Sequence, residues 1–156
     1  MTDLELQDVL IQEIKELAES QSLRKLDGEV WKDYNIYRQE KPYKDDEEDA
    51  DQEDYIIVII GDEDADSEGR WVVTMHIVIS IMLLEKEHQG NIILANWMNQ
   101  LDLHLCKKGV IGGRYEMEKE RYKRFNRTYH PNYYECEYIT RWTLPEMNRE
   151  GIVDLV

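Results

Sequence analysis

Three alternating aspartates, Asp62, Asp64 and Asp66 in the stretch "GDEDADSEG", have the spacing of carboxylate ligands in a calcium loop. Such a loop wraps a hard cation in oxygens, turns on a glycine at its sixth position and closes with a bidentate glutamate at its twelfth. Here Ser67 stands at the turn and Val73 at the closing position. The stretch therefore reads as the solvated tip of a hairpin, able to attract divalent cations weakly but not to cage one. The other groups that could do chemistry are dispersed. His104 and Cys106 are two residues apart on an expected helix and cannot face the same point, and His76 on an expected strand reads as a core or interface histidine. The chain has no Ser-His-Asp order, no glycine-flanked nucleophile and no phosphate-cradling glycine loop, and "GVIGG" reads as a turn. A metal nuclease needs carboxylates and a lysine on adjacent strand positions, whereas the pair Glu13 and Lys15 falls on a helix. These observations predict a protein with no catalytic residue, no bound metal and no cofactor.

A basic and aromatic segment, "RYEMEKERYKRFNRTYHPNYY", has the residue types of a single-strand nucleic-acid platform, since bases stack on aromatics and phosphates pair with cations. Interleaved glutamates and the charge of the whole chain oppose that use. Thirty-four acidic residues against nineteen basic give a formal net charge of −15, which repels phosphate. The alternatives are a twisted hairpin with one solvated face, or a docking edge whose positive charge meets a negative surface on another subunit. The second is preferred, with Arg114, Arg121, Lys123 and Arg124 as candidate contacts. The complementary charge is on the same chain: Asp45 to Asp54, "DDEEDADQED", holds eight acids in ten residues.

Positioning these groups requires a scaffold, and its elements can be read from periodicity. "TDLELQDVLIQEIKELAES" sets Leu6, Val9, Leu10, Ile14 and Leu17 on one helical stripe, with Thr2 and Glu5 at capping-box spacing. A strand is expected over Glu29 to Arg38, then an acidic flexible loop over residues 41–54. "DYIIVII" and "RWVVTMHIVISIMLL" predict two strands apolar on both faces, as in a sheet covered by helices, with "GDEDADSEG" as the loop between them. Leu94, Trp97, Met98, Leu101 and Leu105 mark a second helix, with Asn91 as its N-cap and Gly109 after its last turn. Two more strands close the chain. On the last, Tyr134, Cys136, Tyr138, Thr140, Trp142 and Leu144 share one face, and Pro145 ends the ladder. The reading is one domain over residues 1–156 of α+β class, a mainly antiparallel sheet with two helices packed on it. Two distant cysteines and no secretion signal point to a reducing cytosol, and no apolar run is long enough for a membrane helix.

In this order the features resemble the tail terminator (tail-completion) proteins of long-tailed bacteriophages and prophages. The residues carrying the resemblance are the hairpin "IIGDEDADSEGRWVVTMHIVISI", the "HQGNIILANWMNQLDLHL" helix, the "GGRYEM" strand and the closing "YYECEYITRWTLPEMNRE", in which Trp142, Pro145, Arg149 and Glu150 match a terminal signature. The likeness spans Tyr55 to Glu150. It implies a structural virion protein with no enzymatic activity. It also implies a homo-hexameric ring that caps the tail tube, ends polymerisation and offers the surface where the filled head joins. Implied partners are the chain itself, the tail tube protein and a neck or head-completion protein, with DNA passing through the lumen without specific binding. The implied location is the virion tail, and the host cytoplasm during assembly. Trp142, Pro145, Arg149 and Glu150 join the basic residues as candidate subunit or ring contacts. Alternatives are a head-to-tail neck adaptor and, less favoured, an acidic DNA mimic that inhibits a host protein.

Overall fold

The computed structural model describes residues 2–21, 35–40, 54–82, 90–126 and 133–146. Helix α1, Asp3–Gln21, begins where Thr2 Oγ1 accepts the Glu5 amide at 3.2 Å, the N-cap half of the expected capping box. Its Leu6, Leu10, Ile14 and Leu17 are buried, with Val9 packed beside them. Strand β1, Asn35–Arg38, precedes the long hairpin of β2, Tyr55–Ala65, and β3, Trp71–Met82. Helix α2, Gly90–Lys108, buries Leu94, Trp97, Met98, Leu101 and Leu105, and Gly109 closes it at φ 68°, a left-handed cap that glycine takes without strain. Four strands follow: β4, Val110–Ile111; β5, Tyr115–Met117; β6, Tyr122–Phe125; and β7, Tyr133–Thr143.

Among the described residues these strands form one sheet in the order β1-β2-β3-β7-β5-β4, with β6 also on β7. Only β1 and β2 run parallel. The class is α+β, two helices with a mostly antiparallel sheet curled into a half-barrel. The strands β5 and β6 divide one edge of β7 between them. Glu116 lies opposite Thr143, while Tyr122 lies opposite Ile139 and Phe125 opposite Cys136. The basic connection expected between two strands thus contains a strand of its own, and "GVIGG" contains the short β4 before its turn.

The β2–β3 hairpin is longer than its polar sequence predicts. Glu63, Asp64 and Ala65 pair with Val73, Val72 and Trp71, so the loop shrinks to the turn Asp66 to Gly69. A bulge between Ile60 and Glu63 lets the strand continue past Gly61. The side chain of His76 fills the space a Cβ at Gly61 would need, its Nε2 lying 2.6 Å from that position.

The core lies between the sheet and both helices, in a single cluster that joins α1 and α2 to Ile56 and Val58 of β2, alternate residues Val73 to Ile81 of β3, and Cys136, Tyr138 and Trp142 of β7. Strands β2 and β3 were expected to be apolar on both faces, in a sheet covered by helices. Among the described residues only one face is so covered. The opposite face carries Ile57, Ile59, Val78 and Ile139, all partly exposed. A buried glutamine, unexpected on an apolar helix face, ties the layers together. Gln7 Nε2 donates to Val58 O and to Gln39 Oε1, both at 2.8 Å, and Gln39 sits at φ 62°.

Candidate assembly surface

The basic hairpin is the segment from which contacts were expected, and the structure places its cations against the molecule itself. Arg121 Nε donates to Asp102 Oδ1 at 2.6 Å and its Nη1 donates to the Lys119 carbonyl at 2.6 Å. Lys123 Nζ donates to Asn99 Oδ1 at 2.8 Å. Arg124 lies 3.6 Å from Glu137 and 5.7 Å above the Tyr122 ring. Asp102 also accepts the Tyr138 hydroxyl. Burial pushes the Asp102 carboxyl up, but the hydroxyl of Tyr138 and the guanidinium of Arg121 outweigh it and hold the group below its ordinary value. Burial, then the Asp102 charge, pushes the Tyr138 phenol well above its ordinary value. Arg121, Lys123 and Arg124 therefore fasten β6 onto α2 and β7. These internal contacts stand beside their sequence reading as subunit contacts, since all three lie at exposed positions and Arg124 keeps 59% of its side chain exposed.

Trp142, another candidate contact, is fully buried and donates from Nε1 to Thr140 Oγ1 at 2.8 Å, which makes its side chain part of the core. The face alternation of β7 already placed it with the core residues. Pro145 is partly exposed just beyond that strand, and Arg149 and Glu150 lie outside the described residues, as does the acidic stretch up to residue 53. Arg114 is different. It is exposed on the turn of Gly112 and Gly113, at φ 59° and 69°, and forms no ion pair among the described residues.

The acidic tip is organised as a turn. Asp66 Oδ1 accepts the amides of Glu68 at 2.9 Å and Arg70 at 2.8 Å, and Arg70 Nε reaches Asp66 Oδ2 at 3.1 Å. These bonds, the Arg70 amide first, lower the Asp66 pKa despite the smaller opposing effect of desolvation. The third aspartate of the calcium-like spacing is thus occupied, Asp62 is exposed, and Asp64, also exposed, lies 4.0 Å from Arg141. Among the described residues no group of His, Cys, Asp and Glu gathers as a metal site. His104 turns to Glu13 at 2.7 Å while Cys106 turns to Asp102 at 3.6 Å, in keeping with their two-residue spacing.

The sequence reading missed how polar pairs are inserted into the open sheet face. His76 Nδ1 meets Glu137 across β3 and β7. Arg141 meets Glu118 at 3.2 Å and Thr74 Oγ1 at 3.4 Å. Ile57, Ile59, Val78 and Ile139 lie around them, so this face alternates charge pairs with apolar residues. The signal was present in β7, where Glu135, Glu137, Ile139 and Arg141 share a face.

No protein-family model and no curated protein matches this sequence. A protein of solved structure matches 96% of this chain and 99% of its own, with TM-score 0.53 and 7% identity. At that identity the likeness is one of fold.

Proposed function

We propose that the chain is a structural virion protein, a tail terminator that assembles as a hexameric ring on the finished tail tube. The observation carrying this reading is the two-sided sheet. Both helices cover one face, while the other presents partly exposed isoleucine and valine side chains interspersed with charge pairs, the composition of a surface that meets protein. The ordered sequence resemblance from Tyr55 to Glu150 supplies the identity of the assembly. A ring requires unlike patches that meet with closing rotation, and a chain bearing both an acidic hairpin tip and basic turns has the charges to make one. Its partners on this reading are copies of itself, the tube subunit on one side and the neck or head-completion protein on the other. The surplus of acid lets DNA pass without adhering.

The test is addition of the purified protein to growing tail tubes, viewed by electron microscopy. Tubes capped at one end and halted in growth are expected. Tubes that elongate without bound protein contradict the proposal, and attachment only to the head-completion protein assigns the chain to the neck instead.

A further inference from the structure

A cavity of about 260 Å³ opens where the tip half of the β2–β3 hairpin meets the start of α1 and the end of β7, lined by Thr2, Asp3, Glu63, Trp71 and Leu144. Its walls have unlike chemistry. Trp71 is 51% exposed, a large aromatic surface left in solvent, and Leu144 adds an apolar wall. Glu63 comes to this side because the bulge after Ile60 brings it opposite Val73, whose side chain is in the core. There it lies beside Asp3, and burial followed by the Asp3 charge pushes the Glu63 carboxyl above its ordinary value.

Several of the partly buried carboxylates in this molecule are held by a cation. Glu13 has Lys108, Asp102 has Arg121, Glu118 has Arg141 and Asp66 has Arg70. Asp3 and Glu63 form no ion pair among the described residues. An indole face beside paired carboxylates suits a guanidinium, which stacks its plane on the ring and directs its N–H groups to the oxygens. The same chain exposes a guanidinium of this kind: Arg114, held outward on the Gly112 to Gly113 turn and itself without an acidic partner among the described residues.

We propose that the Asp3, Glu63 and Trp71 cavity receives Arg114 of a neighbouring copy, the two forming the unlike halves of one subunit contact. The proposal rests on the assembly reading above and names a contact within it. Pocket and turn are different patches, so each copy has one of each to offer and the contact repeats from subunit to subunit. Opposite charge on the two halves steers the encounter and fixes its register.

The experiment compares the solution mass, against concentration, of the wild-type chain, Glu63→Arg, Arg114→Glu, the doubly exchanged chain and an equimolar mixture of the two single variants. Circular dichroism checks that each is folded, which exposed positions should permit. Each single reversal is expected to raise the concentration needed for assembly about tenfold or more. The doubly exchanged chain is expected to recover association, because carboxylate and guanidinium then face each other in reversed order. A wild-type assembly that neither single variant weakens, or a defect that the double exchange does not relieve, overturns the Arg114 contact and leaves the assembly reading standing. A wild-type chain that stays monomeric at every concentration overturns both.

Discussion

One oxygen of Asp102 collects the Tyr138 hydroxyl, the Arg121 guanidinium and the Cys106 thiol. The group joins α2 to β7 and to the segment leading into β6, so its charge positions the basic hairpin. Asp102→Asn keeps the shape and removes the charge, and is expected to cost about 1.5–3 kcal/mol in urea unfolding near neutral pH. The pH dependence has a definite sign. The folded carboxyl titrates below its ordinary value, so its stabilisation is fully present above that value and is lost as pH falls through the lower folded value. Wild type and variant are therefore expected to converge in acid. Glu13 acts in the same sense: burial raises its pKa, but Lys108 and then His104 outweigh burial and lower it from 4.5. Glu13→Gln is expected to flatten part of the acid limb of the stability profile, and an unchanged limb would show that the Lys108 pair contributes nothing. At this scale the sequence was least legible. It offered Arg121, Lys123 and Arg124 as candidate subunit contacts without showing what holds them, because Asp102, Asn99 and Glu137 come from elements distant in the chain.

The elements themselves were more legible, and the reason differs between helix and strand. Each helix has a long stripe at helical spacing and a cap readable from adjacent residues, Thr2 and Glu5 for α1 and Gly109 for α2. The face assignment of β7 survived because its alternation is unbroken. The hairpin tip was read as loop because the bulge near Gly61 interrupts period two and the residues beyond it are acidic. Strand β6 was read only as part of a basic connection or twisted hairpin, since "YKRF" is exposed at every position and has no buried face to announce it. The parallel pairing of β1 with β2 joins segments separated by the acidic stretch and is written in no local pattern. Packing also explains Gly90 better than sequence does. A Cβ there would fall 2.1 to 2.5 Å from atoms of the Tyr134 ring, so α2 and β7 approach closely only because the position has no side chain. Gly90→Ala is expected to lower stability by about 1–3 kcal/mol, measured by thermal unfolding. An unchanged melting temperature would mean that Tyr134 moves aside freely.

For the whole molecule the governing facts are the net charge of −15 and a sheet that, among the described residues, is covered by helices on one face. Like-charged copies repel at long range, so the proposed association needs local complementarity: apolar side chains on the open face, and, as proposed above, guanidinium meeting carboxylate at the Asp3, Glu63 and Trp71 cavity. Added salt weakens the repulsion and the specific pairs together, which makes the charge exchange at positions 63 and 114 more informative than a salt titration alone. Whether these surfaces close the proposed ring of six is read from light scattering over a range of protein concentration at moderate ionic strength. A closed ring gives a mass six times that of the 18.7 kDa chain, reached at a plateau beyond which added protein makes no larger species. A mass of one chain at every concentration would contradict it.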